Sequence, residues 1–339
     1  MKSKTKFYIT NTDIEKLFES ALSKKVLNVT PLKAGEFNSV YKVECAAVAA
    51  DNSAAIKFVL KVAPHPTTDT LTFEKGMLLH EVNIYSTLQQ IKTLTIPKVL
   101  YSDFSKSIID SEYFIMEYIK VPMLSGLKVD SKFKKAIHEK LAEFLAEMHN
   151  IDAGNKFGYP HIELFDNWFL ALTSIIENLK IDANKKNVKL LGLKKLLYYI
   201  EKNKAILKSV PCSLVNFDLW DLNIFVGGNS KDDFSLSIVD PERSFYGDPM
   251  ADFVTLMPLK NLNNKQFIFD AYNKRAKNTI SLCNNEKIRY YIMHGVLSLI
   301  MQTERPFRYR RTQAKWFMQK LAARVFMRHC LNELKKCDN

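Results

Sequence analysis

Between residues 12 and 22 apolar side chains recur at helical spacing. Ile14, Leu17, Phe18, Ala21 and Leu22 share one face, behind a Thr12-x-x-Glu15 capping box. The pattern then turns to short β-type runs. Val29–Glu44 predicts strand, turn and strand around Gly35, and Phe58-Val59-Leu60-Lys61-Val62, within Ala54–Ala63, predicts a buried strand. Pro97–Leu100 and Tyr113–Ile119 predict a further pair, the second apolar enough to lie centrally in a sheet. One helix interrupts them: within Glu74–Gln90, Met77, Glu81, Ile84, Tyr85 and Leu88 fall on one face. Apolar density drops through Lys120–Lys128, which holds Pro122 and Gly126, so the chain divides into 1–119, a linker at 120–128, and 129–339. Beyond the linker the pattern is helical. Helices are expected at Ser131–His149, Asp166–Leu179, Val188–Ile200, Asn264–Ala276, Lys287–Met301 and Gln313–Lys335, with Lys180–Lys189 as a polar connection. Only Ser213–Phe253 returns to β-type runs. There Ile224-Phe225-Val226 and Phe234-Ser235-Leu236 flank Gly227-Gly228-Asn229 as a hairpin, and the strand Ser237-Ile238-Val239 delivers Asp240.

Length and composition narrow this picture. A chain of 339 residues suits two lobes sharing a cleft, and 47% apolar with 25% charged residues excludes a disordered protein. No apolar run approaches the roughly 18 residues that span a bilayer; Ile292–Met301 is short and carries His294, Gly295 and Ser298. No apolar core follows the basic Met1-Lys2-Ser3-Lys4, so no secretory leader is expected. The five cysteines are scattered without a C-x-x-C, which points away from disulfides and zinc and toward the cytoplasm. The net charge of +13 gathers near the end, where residues 285–339 hold twelve Lys and Arg against four Asp and Glu. Arg305, Arg308, Arg310 and Arg311, interleaved with Phe307 and Tyr309, predict a solvated basic face on the last helices. No nucleic-acid-binding motif accompanies them, so a nucleic-acid partner is not expected. There is also no G-x-S-x-G elbow and no G-x-x-x-x-G-K-[ST] loop.

The candidate chemistry is concentrated in Ser213–Phe253. The hairpin would bring Asn223 and Asp240 side by side, a donor pair suited to a hard cation such as Mg²⁺ carrying a phosphate chain. Asp218, just before the first strand, could accept a proton from a substrate hydroxyl. Lys61, flanked by buried positions, needs an anionic partner to offset its desolvation. Glu81 on the apolar face of the following helix is the natural one, with Glu74, two turns earlier, as the substitute. Gly35 would let backbone N–H groups approach phosphate oxygens, and a generic hairpin explains that turn equally well.

In order, these features resemble the aminoglycoside phosphotransferase and choline-kinase-like family, the small-molecule branch of the protein-kinase fold. The motifs are Asp218-Leu219-Trp220-Asp221-Leu222-Asn223, then Asp240-Pro241-Glu242-Arg243, then Tyr246-Gly247-Asp248-Pro249-Met250-Ala251-Asp252. The D-L-W start and the Asp-Pro after the strand are also similar to fructosamine kinases. The resemblance implies an α+β, bilobal architecture: an N-terminal antiparallel sheet lobe and a mainly helical C-terminal lobe. It implies an enzyme that moves the γ-phosphoryl of ATP, or GTP, with Mg²⁺, to a hydroxyl of a small molecule. Residue by residue, Asp218 is implied as the catalytic base, and Asn223 and Asp240 as metal ligands. Lys61 and Glu81 are implied as the phosphate-anchoring ion pair, and Ala34–Ser39, with Gly35 and Ser39, as the phosphate loop. Glu117 and Ile119 are implied as nucleotide contacts beside the linker, and Asp248 and Asp252 as structural. Asn216 stands where the family usually has His.

Overall fold

The computed structural model describes residues 3–32, 35–47 and 55–338. Ala34 of the expected phosphate loop with Lys33 before it, Ala54 of the expected third strand run, and Met1-Lys2 lie outside the described residues. The first helix, α1 (Asn11–Leu22), is capped by Thr10 instead of Thr12. The Asp13 N–H donates to Thr10 Oγ1 at 3.1 Å, while the Thr10 N–H donates to Asp13 Oδ2 at 3.0 Å. The short Asp at the third helical position closes the box, so the Thr12–Glu15 pair is left inside the helix.

Strands β1 (Val26–Leu32), β2 (Ser39–Cys45) and β3 (Ile56–Val62) precede helix α2 (Met77–Leu88); β4 (Val99–Asp103) and β5 (Tyr113–Glu117) follow it. They form one antiparallel sheet in the order β1-β2-β3-β5-β4. Paired residues share a face, and the register therefore sorts the two sides. Ser39 opposite Val62, and Tyr41 opposite Leu60, face α1, whose Ile14, Leu17 and Phe18 complete that layer. Val40 opposite Lys61, with Val59, Phe114 and Met116, faces the remainder of the chain.

The linker contains one short turn, Leu124–Gly126, and is hydrogen-bonded to the 221–226 segment. The Val226 N–H donates to Pro122 O at 2.9 Å and the Ser125 N–H to Asp221 O at 3.0 Å. Then come α3 (Ser131–His149), β6 (Phe157–Tyr159), β7 (Glu163–Phe165), α4 (Trp168–Lys185), α5 (Leu193–Lys202) and α6 (Lys204–Lys208). Strands β8 (Ser213–Val215), β9 (Ile224–Gly228), β10 (Phe234–Ile238) and β11 (Phe245–Gly247) follow, then α7 (Asp252–Leu256), α8 (Gln266–Asn273), α9 (Asn284–Arg308) and α10 (Ala314–Cys337). The architecture is α+β, a sheet-built first part and a mainly helical second. Helix α4 runs into the lysine-rich stretch as far as Lys185, where its buried Asp182 accepts from Thr72 N–H at 2.7 Å and Thr72 Oγ1 at 2.9 Å, tying that turn to the sheet half. A small sheet in the order β7-β6-β11-β8 was not anticipated, since its strands are too short to show a period of two. One apolar core runs from the inner sheet face through α2, α3, α4 and α9. Among the described residues no helix is long and apolar enough to cross a membrane.

Candidate active site

The expected hairpin is β9–β10, with Ile224 opposite Ile238. Beyond it the Val239 N–H donates to Asn223 O at 3.0 Å, which holds the two strand ends together. Asp240 then turns through a left-handed backbone (φ 64°), and its N–H donates to Tyr85 Oη of α2 at 2.9 Å. This turn aims its carboxylate at Lys61. The Lys61 ammonium, only 5% exposed, donates to Asp240 Oδ1, to Glu81 Oε2 at 2.7 Å and to Glu242 Oε2 at 2.9 Å. Glu81 is thus the lysine's helix partner. Glu242, quoted above only as part of a motif, joins the group, and the Asn38 amide donates to its Oε2 at 2.8 Å.

Three carboxylates around one ammonium leave the cluster with excess negative charge. Burial pushes Glu81 up to about 7 against the pull of Lys61, and burial with the Asp240 charge pushes Glu242 well up. One oxygen from each of Glu81, Asp240 and Glu242 lies within 4.8 Å of the others, and Glu81 Oε1 is buried without a hydrogen bond. The Asn223 amide nitrogen donates to Asp218 O and Oδ2, both at 2.9 Å, so Oδ1 is the atom it can offer a cation. An all-oxygen set with surplus negative charge fits a hard divalent ion such as Mg²⁺.

Asp218 is set by the loop around it. Asp252 Oδ1 accepts the Phe217 N–H at 2.6 Å and both its oxygens accept the Asn216 N–H at 3.1 Å, while His149 Nε2 lies 2.9 Å from Oδ2. That brace permits the left-handed backbone of Phe217 (φ 57°). Asn216, in the place of the family's His, accepts the Asp218 N–H at 2.9 Å and so still shapes the loop. The Asp218 carboxylate accepts from Trp220 Nε1 at 3.0 Å and from Asn223 Nδ2 at 2.9 Å, with Arg243 Nε at 3.6 Å. Burial pushes its carboxyl up to about 6, and Arg243 opposes the shift. Asp248 caps the following turn through Met250 N–H at 2.9 Å and pairs with Arg289 at 3.1 Å.

A second charged chain lies behind Asp218 and had no signature in the sequence. Arg243 donates to Glu304 Oε1 at 2.5 Å; Glu304 lies 3.5 Å from Arg308, which pairs with Glu74 and stacks over Phe37 at 4.6 Å. Glu74 is therefore committed to Arg308 and is not a partner of Lys61. Arg308, 3% exposed, also corrects the expectation of a wholly solvated basic face: two buried carboxylates draw it inside.

The remaining expected positions divide. Gly35 adopts φ 80° at the turn, a conformation suited to glycine. Ser39 begins β2 on the face opposite Lys61, so its hydroxyl points away from the cleft. The Glu117 N–H bonds Lys98 O at 3.0 Å and its carboxylate accepts the Lys98 N–H at 2.9 Å. Ile119, half-buried, makes no backbone hydrogen bond among the described residues.

An antiparallel sheet presenting a lysine, a helix glutamate paired with it, and a hairpin aspartate meeting both define a protein-kinase-like fold. The chain belongs to the phosphotransferase enzyme family (APH), whose sequence profile matches residues 28–272. Among curated proteins none matches its sequence. Among solved structures it is similar to a candidate aminoglycoside phosphotransferase of Ralstonia eutropha JMP134, with a TM-score of 0.65, 16% identity, and 97% of this chain and 99% of that one covered. It is also similar to a candidate fructosamine-3-kinase of Thermobifida fusca YX-ER1, with a TM-score of 0.59, 16% identity, and 93% and 98% covered. The streptomycin–ATP ternary complex of APH(2″)-IIa gives a TM-score of 0.58 at 16% identity, over 95% and 97%. At such identities the likeness establishes the fold.

Proposed function

We propose that the chain transfers the γ-phosphoryl of ATP, or of GTP, to a hydroxyl of a small molecule, with Mg²⁺ at the Asn223 and Asp240 end of the cleft. The observation that carries this is the convergence of Lys61, Glu81, Asp240 and Glu242, beside an Asp218 whose carboxylate is bonded to Asn223. In this reading residues 1–119 hold the nucleotide, with the Glu117 and Ile119 backbone at the base edge and the loop at Gly35 over the phosphates. Residues 120–128 act as hinge, and 129–339 carry the acceptor. Mg²⁺, when bound, supplies charge neutralisation to the β- and γ-phosphates. Lys61, kept protonated by its carboxylates, orients the phosphate chain, and Glu81 holds the ammonium in place. Asp218 Oδ2 or Oδ1 orients the acceptor hydroxyl and takes its proton as the O–P bond forms and the bond to the departing ADP breaks. At pH 7 a carboxyl titrating near 6 is mostly ionised, as a base must be.

Family membership supports a small-molecule acceptor. Aminoglycosides, choline-type amino alcohols, sugars and glycated amines are the classes to test, the last because a fructosamine-3-kinase is among the similar folds. The experiment is a panel of these compounds scored for acceptor-dependent ADP release, with Asp218→Asn as control. One acceptor should stimulate release in the wild type and not in the variant. Equal stimulation in both would remove Asp218 as the base.

A further inference from the structure

The connection between α9 and α10 lines a pocket of about 320 Å³ whose walls include Lys4, Lys186, Lys189, Arg305, Arg311 and Trp316. None of the lining residues belongs to the cleft group, and among the described residues no carboxylate lines it. Asp69 reaches Lys186 from outside the wall, and the Lys4 ammonium donates to Pro306 O at 3.0 Å. Arg305 Nε is buried without a hydrogen-bond partner while its guanidinium lies over the Trp316 ring at 4.6 Å, and Arg311 approaches the same ring at 6.0 Å. The cations crowd one another. Burial, then Arg324 and Arg311, hold Arg305 below its ordinary value; burial, then Lys186 and Arg310, do the same to Lys4. A concavity that gathers five cations, of which Asp69 answers Lys186, is stabilised by an anion that supplies further counter-charge. Its size suits a small molecule and not a nucleic-acid strand. Phosphate groups place up to two charges on one tetrahedral centre, and guanidinium and ammonium donors match them.

We infer that this pocket is a second binding site, for a compact small molecule carrying two or more phosphate groups, separate from the nucleotide cleft. The ligand is held by Arg305, Arg311 and Lys189 at the α9–α10 corner, with Trp316 keeping the Arg305 guanidinium flat and in place.

The test is calorimetric titration of the full chain with sodium pyrophosphate at constant ionic strength, in EDTA so that no divalent ion directs the probe to the cleft. Wild type should show saturable binding at one site. Arg305→Gln should weaken it roughly tenfold, the loss of one charge-assisted contact. The double variant Lys189→Gln, Arg311→Gln, at two exposed positions where folding is not at stake, should weaken it at least as much. The inference is overturned if pyrophosphate shows no saturable binding, or if it binds the double variant as tightly as the wild type. Neither result bears on whether Mg²⁺-nucleotide occupies the cleft.

Discussion

Replacing Asp218 with Asn should stabilise the folded chain while abolishing turnover. The folded structure raises this carboxyl from 3.8 to about 6, chiefly by burial. A folded value above the unfolded one means the ionised form is disfavoured in the fold. The difference corresponds to roughly 3 kcal/mol at any pH above about 6 and to nothing below about 4. Asn removes that liability. It also gives up one hydrogen bond, because Trp220 Nε1 and Asn223 Nδ2 meet different carboxylate oxygens and in Asn one of the two becomes an NH2 donor. That loss costs about 1 to 2 kcal/mol. The balance is a net stabilisation of about 1 to 2 kcal/mol at pH 8, a rise of a few degrees in Tm for a chain this size. At pH 4.5, where the wild-type carboxyl is protonated, the advantage should vanish or reverse. Thermal unfolding of both proteins at pH 4.5 and 8, without nucleotide or metal, reads the difference. Turnover with an active acceptor should fall by two to four orders of magnitude. A Tm difference that does not change between the two pH values would refute the assignment of Asp218 as a buried, upshifted acid.

The pH profile of kcat/KM should show an acidic limb near 6, with activity lost as pH falls and Asp218 takes up a proton; a flat profile from pH 5 to 8 would remove it as the base. Because burial holds Glu81 near 7 and pushes Glu242 up as well, Mg²⁺-nucleotide binding at pH 7 should release protons, visible as a binding enthalpy that depends on the buffer's ionisation enthalpy. Identical enthalpies in phosphate and Tris would contradict the excess-carboxylate cluster. Arg308→Ala strands Glu74 in the interior, leaves Glu304 to Arg243 alone, and should lower unfolding free energy by about 3 to 5 kcal/mol in denaturant titration, whereas a surface arginine such as Arg310 should cost under about 1.

How far the chain announces this arrangement depends on the length over which each signal acts. Helix α3 falls on the bounds its apolar stripe and Asp130 cap dictate, and the β9–β10 hairpin follows from alternating apolar runs about a glycine pair. Lys61 and Glu81 were legible as a pair because each is a charge on an otherwise apolar face. The charged chain behind Asp218 was not: Arg308 and Glu74 are 234 positions apart, Arg308 has the pattern of a surface charge, and Glu74 read as a substitute partner for Lys61. Ser39 shows the opposite failure. The family resemblance implied a phosphate contact for it, but strand pairing with Val62 fixes its side chain on the α1 face. Asn38, one residue earlier and outside the strand, reaches Glu242 instead.

The central claim is that Lys61, Asn223 and Asp240 converge on one metal-bound triphosphate, and its most direct test is binding of a non-hydrolysable ATP analogue by calorimetry, with Mg²⁺ and with EDTA. The account predicts tight binding that requires Mg²⁺ and that Asp240→Ala weakens by at least tenfold, while Asp218→Asn binds as the wild type does. Binding indifferent to Mg²⁺, or unchanged by Asp240→Ala, would contradict it.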